Sequence, residues 1–349
     1  MDRAVLSPNF FAAPDQAILT DSSEWLDLLY KWREILQIAV HAYQTPEFEI
    51  ELYTAGVHPE CWVWQHRQEF ASQHLEPKDI IGLYTCLLRT LSDLNVALKS
   101  RGIQEFDVDS LSAIPEDLLP EAMALSGRNL ASLPVLSKEG ETMYIITDQR
   151  FCAALETTPN IHINAKLNLL SSEKANVLIE QKIDCDFLLV NHPSQIKSQL
   201  DPVAIWTESD NEPHRRFALD LYTNQRFQGK LAENTNSRER LQTWQFGGSF
   251  FDNFNVLEIL SKPGEAERLL RSMAEVIVME NLAETHALRQ DKGGDSPQRV
   301  RDSDGALAMR KVVAKGNKAY RLHYWERKID GPEFADIVIE HDDCQISYK

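Results

Sequence analysis

Cysteine is scarce and scattered. Cys61, Cys86, Cys152, Cys185 and Cys344 are odd in number and include no CxxC pair. That spacing argues against a disulfide framework or a structural zinc site and predicts reduced, mostly buried thiols in a cytoplasmic protein. Long apolar runs are missing too. No window approaches the roughly 18 uninterrupted apolar residues of a membrane span, so no membrane partner is expected. The start, MDRAVLSPNFFAAPDQAILT, lacks a basic stretch followed by an unbroken apolar run and does not read as a secretory signal. Cations are in deficit, with 36 Lys and Arg against 53 Asp and Glu for a net charge of -17. Such a balance argues against coating nucleic acid or anionic membrane with the general surface, but leaves room for a local basic site. Catalytic signatures are absent as well: there is no GxGxxG, P-loop, GxSxG or HExxH, and no internal repeat.

What is present is ample apolar material. The 349 residues are 43% hydrophobic, enough for two or three domains with their own cores. The expected class is α+β: an N-terminal helical bundle, a central α/β layer and a C-terminal antiparallel β-meander. Residues 1–102 carry the bundle. Asp21 and Glu24 form a capping-box spacing ahead of Trp25, Leu28, Leu29, Trp32, Ile35 and Leu36 at helical intervals. Pro46, Pro59 and Pro77 each mark a helix start, the last opening a helix that runs to Gly102. Residues 103–141, punctuated by Pro115, Pro120 and Pro134, read as a connector. Residues 142–290 alternate. MYIIT, IHINAKLNLL, CDFLLV, VAIW and RFALDLY predict strands, SSEKANVLIEQ predicts a helix, and a long helix follows Pro263 with Leu269, Leu270, Met273, Val276 and Ile277 as its stripe. After the polar linker RQDKGGDSPQ, residues 291–349 form the basic meander.

Several constellations could carry chemistry. FGGSFFDN puts two glycines before Ser249, but no glycine follows at the elbow spacing, so a turn is expected there. Asp184, Asp186 and His192 surround the strand CDFLLV, and carboxylates with a histidine at a strand's carboxyl end can bind metal or move protons. The sharper enzymatic pattern is Glu-x-Lys. In metal-dependent nuclease cores an acid and this pair hold Mg²⁺ and stabilise the attacking water. Glu326 and Lys328 fit it, with Asp304 or Asp220 as the partner acid. Mg²⁺ is a cofactor under that reading alone; otherwise none is expected. A solvated turn accounts for the same charges.

The ribbon KAYRLHYWERKIDGPEFADIVIEHDD, from Lys318 to Asp343, holds the strongest signal. Asp330-Gly331 marks a turn between two alternating runs. Centred there, one face carries Tyr320, Leu322 and Tyr324 against Ala335, Ile337 and Ile339, and is the expected core. The other carries Arg321, His323, Trp325 and Arg327 opposite Asp336, Val338 and Glu340. From Gln298 to Lys328 nine Lys and Arg face three acids. An acidic chain thus ends in a basic module with an exposed aromatic. Arg321, His323, Trp325 and Arg327 therefore become candidate binding residues for a DNA or RNA strand, by phosphate contact and stacking, or for an acidic protein subunit.

WQFGGSFFDN, MAEVIVMENLAETHALR and YRLHYWERK with EFADIVIEHDD span roughly the last third of the chain. This part resembles uncharacterised bacterial proteins of antiviral defence loci. The resemblance implies a bacterial cytoplasmic defence component working with other protein subunits, and carries over no catalytic residue.

Overall fold

The computed structural model describes residues 2–15, 19, 22–114, 127–147, 160–171, 177–209, 211–233, 244–252, 263–290, 296–314 and 320–339. The chain divides into two units, Met1–Leu200 and Asp201–Lys349. Helices and mixed sheets make up both, which is the expected coarse class; the arrangement departs from the expected bundle and layer, whereas the C-terminal strands pair antiparallel in chain order.

In the first unit, β1 (Asp2–Leu6) is followed by a 3-10 turn, Pro8–Phe11, and then by α1 (Ser23–Ile38) and β2 (Val40–Gln44). Next come α2 (Phe48–Thr54), α3 (Pro59–Trp62), α4 (Arg67–Ser72), α5 (Pro77–Thr90) and the short β3 (Ser92–Asp93). Then follow α6 (Leu94–Ser100), β4 (Ile103–Ile114), α7 (Gly127–Leu136), β5 (Met143–Ile146), β6 (Asn160–Ser171), β7 (Val177–Val190) and α8 (Pro193–Lys197). The sheet order is β3-β2-β1-β5-β7-β6-β4. From β3 to β7 neighbouring strands run parallel; β6 and β4 are antiparallel to the strands beside them.

The expected N-terminal bundle is therefore corrected: three strands of a parallel sheet thread residues 1–102. All are short, five residues at most, and β1 is almost wholly buried, so none carries an extended polar alternation. The helix from Pro77 to Gly102 is likewise two helices. Its chain straightens at Leu91, and the Asp93 carboxylate caps α6 by accepting from the N–H groups of Asn95 (2.8 Å) and Val96 (3.2 Å). Within the supposed connector lie β4 and α7, the latter with Pro134 inside it; Pro115 and Pro120 are outside the described residues. SSEKANVLIEQ is corrected in its described part, since Val177–Gln181 pair with Leu167–Ser171 as strand. Ile179, Ile183, Cys185, Phe187 and Leu189 alternate onto the core, a period-2 pattern that continues past the expected start of the strand.

One face of this sheet packs Val5, Tyr43, Ile145 and Leu189 against Leu94 and Leu98 of α6 and Leu130, Leu133 and Leu136 of α7. Elsewhere in the unit Phe10, Phe11, Trp25, Trp32, Trp62, Phe70 and Tyr84 form a chain of ring contacts. β4 closes the sheet among the described residues. Its pairing with β6 breaks register twice, and Glu105, Asp107 and Asp109 are exposed along it.

In the second unit, α9 (Pro202–Glu208) and α10 (Glu212–Glu233) are followed by β8 (Gln245–Phe246), α11 (Pro263–Ile277), β9 (Thr285–Ala287), β10 (Leu307–Ala314), β11 (Tyr320–Glu326) and β12 (Pro332–Ile339). The sheet order is β8-β12-β11-β10-β9. VAIW and RFALDLY, expected as strands, are helical. Asp201 caps α9 by accepting from the Val203 and Ala204 N–H groups, with Pro202 at the first helical position. In α10, Phe217, Ala218, Leu221 and Tyr222 are buried at helical intervals. The long helix after Pro263 is α11, as expected. Of the cysteines, Cys61, Cys86 and Cys185 are free and half-buried; Cys152 and Cys344 lie outside the described residues. Among the described residues no helix is long and apolar enough to cross a membrane.

Candidate anion-binding face

The hairpin of β11 and β12 turns at Asp330-Gly331, with Gly331 at φ 64°. Register begins as expected, with Tyr320 opposite Ile339, Arg321 opposite Val338, Leu322 opposite Ile337 and His323 opposite Asp336. A bulge then intervenes, so Phe334 and not Ala335 faces Tyr324. Tyr320, Leu322, Tyr324, Phe334 and Ile337 are buried as the core face. α11 packs on this sheet, and Lys311 turns toward it. Its ammonium, almost fully buried, pairs with Glu275 at 3.0 Å and donates to the Asn281 carbonyl at 2.7 Å.

The opposite face is not the solvated surface that alternation predicts. Trp325, expected to be exposed, is 7% exposed and packs with Leu288, Ala306, Ala308 and Ala335. Residues 288–290 and 296–306 lie over this end of the sheet through backbone hydrogen bonds between Leu288 and Ala308 and from Ala308 to Arg299. Arg301 stands over the indole with its guanidinium carbon 5.1 Å from the ring centroid. It also grips two carboxylates at once, Asp304 at 2.6 and 2.9 Å and Glu333 at 2.7 and 3.0 Å. The hydrogen bonds from Arg301 and from the Ala306 N–H hold the Asp304 carboxyl down at about 2. At Glu333, burial alone would raise the pKa, but the hydrogen bonds from Arg301 and Gln245 outweigh it and the carboxyl stays below its ordinary value.

Further along the same face His323 has no exposed surface. Burial first, and then the charges of Arg310, Arg321 and Arg299, push its imidazole down to about 3. Arg310 sits directly opposite His323 on β10, Val312 opposite Arg321, and Asp336 faces His323 from β12. The charges of three arginines thus bear on one neutral, desolvated ring; all three are half-buried, and the Arg299 guanidinium donates to the Arg289 and Gln290 carbonyls at 3.1 and 3.3 Å. Such an array can hold an anion; it contains no group placed for proton transfer at neutral pH. Arg299 and Arg310 were visible in the charge count but were not singled out, because the partner strand that brings them to Arg321 cannot be read from β11 and β12. Arg327 is engaged elsewhere, donating to the Gly331 carbonyl at 2.9 Å and to the Asp330 carbonyl at 2.5 Å across the turn.

The proposed nuclease residues are not brought together as a strand-borne pair. Glu326 is the last residue of β11, exposed, and Lys328 lies beyond it in the turn. Asp304 is held by Arg301, while Asp220 is on α10 and accepts from the Trp244 Nε1–H at 2.8 Å. His192 caps α8, and Asp184 and Asp186 instead flank His162, at 3.0 and 2.9 Å. Ser249 is exposed in a turn closed by the Phe250 N–H to the Gly247 carbonyl. Among the described residues no group of three or more His, Cys, Asp or Glu side chains is arranged to hold a metal ion. In comparison with known proteins, no family model, curated protein or solved structure gives a significant match to this chain.

Proposed function

We propose that the protein is an accessory, interaction component of a multi-protein bacterial defence system, and that its C-terminal sheet docks an acidic ligand through Arg299, Arg310 and Arg321. The defence setting rests on the resemblance of the last third of the chain. One observation carries the binding reading: half-buried Arg310 stands opposite His323 on β10, half-buried Arg321 two residues before it on β11, and with Arg299 their charges bear on its neutral ring. Guanidinium groups suit carboxylates and phosphates alike. Burial of Trp325 takes away the stacking platform expected of a single-strand binder, and the net charge of -17 repels a polyanion at long range. An acidic protein subunit is therefore the favoured ligand, with DNA or RNA as the other outcome.

The test is co-purification from the native host with mass spectrometry of protein and nucleic acid, comparing wild type with Arg310→Ala/Arg321→Ala. The expected result is loss of a specific protein partner from the double variant, with no binding of labelled single-stranded DNA or RNA by either form at moderate salt. Nucleic-acid binding would instead show a log–log salt slope that falls by about 0.7–0.9 for each phosphate contact removed. Identical partners for both forms would sink the reading.

A further inference from the structure

Register assembles a polar row at the carboxyl end of the parallel strands in the first unit. Val5 pairs with Tyr43 and with Ile145, and Ile145 with Leu189. The ladder continues one step beyond the strands, through the Ser7 N–H to the Ile146 carbonyl (2.8 Å) and the Thr147 N–H to the Val190 carbonyl (2.9 Å). Two residues after the apolar row, alternation therefore brings Ser7, Thr45, Thr147 and Asn191 side by side. Ser7, Thr45 and Thr147 are 0%, 4% and 1% exposed. The Thr147 hydroxyl has no hydrogen-bond partner. Buried polar atoms are nearly always satisfied, so an orphan hydroxyl in a buried row at the edge of a sheet points to a ligand.

The position agrees. Chain order reverses at β1: α1 leads to β2 on one side, whereas β5, on the other side, is supplied by much later chain. The crevice outside the carboxyl ends at such a switch point is where open α/β sheets take up nucleotide-type ligands. In this row the groups are neutral hydroxyls and amides, which match sugar hydroxyls better than a bare phosphate, whose recognition relies on cations or helix N-termini. We propose that the carboxyl edge between β1 and β5 binds the ribose of a ribonucleoside or ribonucleotide, with the Thr147 hydroxyl as a hydrogen-bonding partner. This site is separate from the arginine face and stands or falls without it.

Calorimetric titration and melting of the full chain would use the four ribonucleosides, their 5′-mono- and triphosphates, ribose and inorganic phosphate. At least one nucleoside or nucleotide should titrate and raise Tm, phosphate alone should not, and the 2′-deoxy form of the best ligand should bind several-fold more weakly. Thr147→Val keeps the shape and removes an unpartnered hydroxyl. It should melt no lower than wild type yet bind at least tenfold more weakly, and Thr147→Ser should restore binding. Failure of every nucleoside and nucleotide to titrate overturns the proposal. So does unchanged affinity in Thr147→Val or in the deoxy ligand, or a loss that Thr147→Ser does not restore.

Discussion

With Leu288, Ala306, Ala308 and Ala335 against the indole of Trp325, truncation at that position opens a cavity. Trp325→Ala should cost about 3–5 kcal/mol of stability, measured by urea denaturation, before any effect on a ligand is seen. His323 makes a different prediction. In the unfolded chain its imidazole takes up a proton near 6.5, whereas in the native protein it stays neutral down to about 3. Between those values the unfolded state binds more protons, so stability falls as pH drops, by up to about 1.4 kcal/mol per pH unit. The depressed carboxyls of Asp304 and Glu333 also lose stability toward acid, but at lower pH. His323→Gln should therefore flatten the stability profile between about pH 5 and 6.5; an unchanged slope would show that the ring is not held neutral. Glu275 is paired with the buried Lys311 ammonium, and Glu275→Ala should destabilise by about 3–5 kcal/mol because the charge left behind has no water to turn to.

At the scale of elements, caps decide where helices begin. Asp93→Ala removes the acceptor for two N–H groups of α6 and should cost about 1 kcal/mol, read as a shift in the denaturation midpoint with an unchanged m-value. These caps also explain what could be read in advance. Pro77 and Pro263 opened helices where expected, and the apolar run of β5 and the period-2 runs in β6 and the C-terminal hairpin marked strands. Asp201-Pro202 carried the same kind of signal, but the apolar run VAIW behind it outweighed it in a reading based on strand propensity. β1 and β2 were hidden for another reason: strands of five residues are too short for a period to establish itself, and β1 is buried on both faces. The candidate site was half legible. Charge counting found the basic module, yet parity along one hairpin could not reveal that Lys311 turns to α11, that Arg301 is gripped by two carboxylates, or that an earlier segment covers Trp325. The row of Ser7, Thr45, Thr147 and Asn191 was illegible altogether, since only strand pairing joins residues so far apart in the chain.

At the scale of the whole molecule, each of the two units has apolar clusters of its own. Calorimetry should resolve two transitions, Trp325→Ala lowering one and Leu189→Ala the other; a single transition lowered by both would mean that the units unfold together. The long border strand β4 has a consequence for the protein in a crowded solution. Twelve extended residues at the rim of a sheet offer a template on which another chain could add, the first step toward fibrous aggregates. The two breaks in its ladder interrupt that template, and Glu105, Asp107 and Asp109 make each would-be copy repel the next. Neutralised at those three positions, the strand would become adhesive while the fold behind it stayed the same.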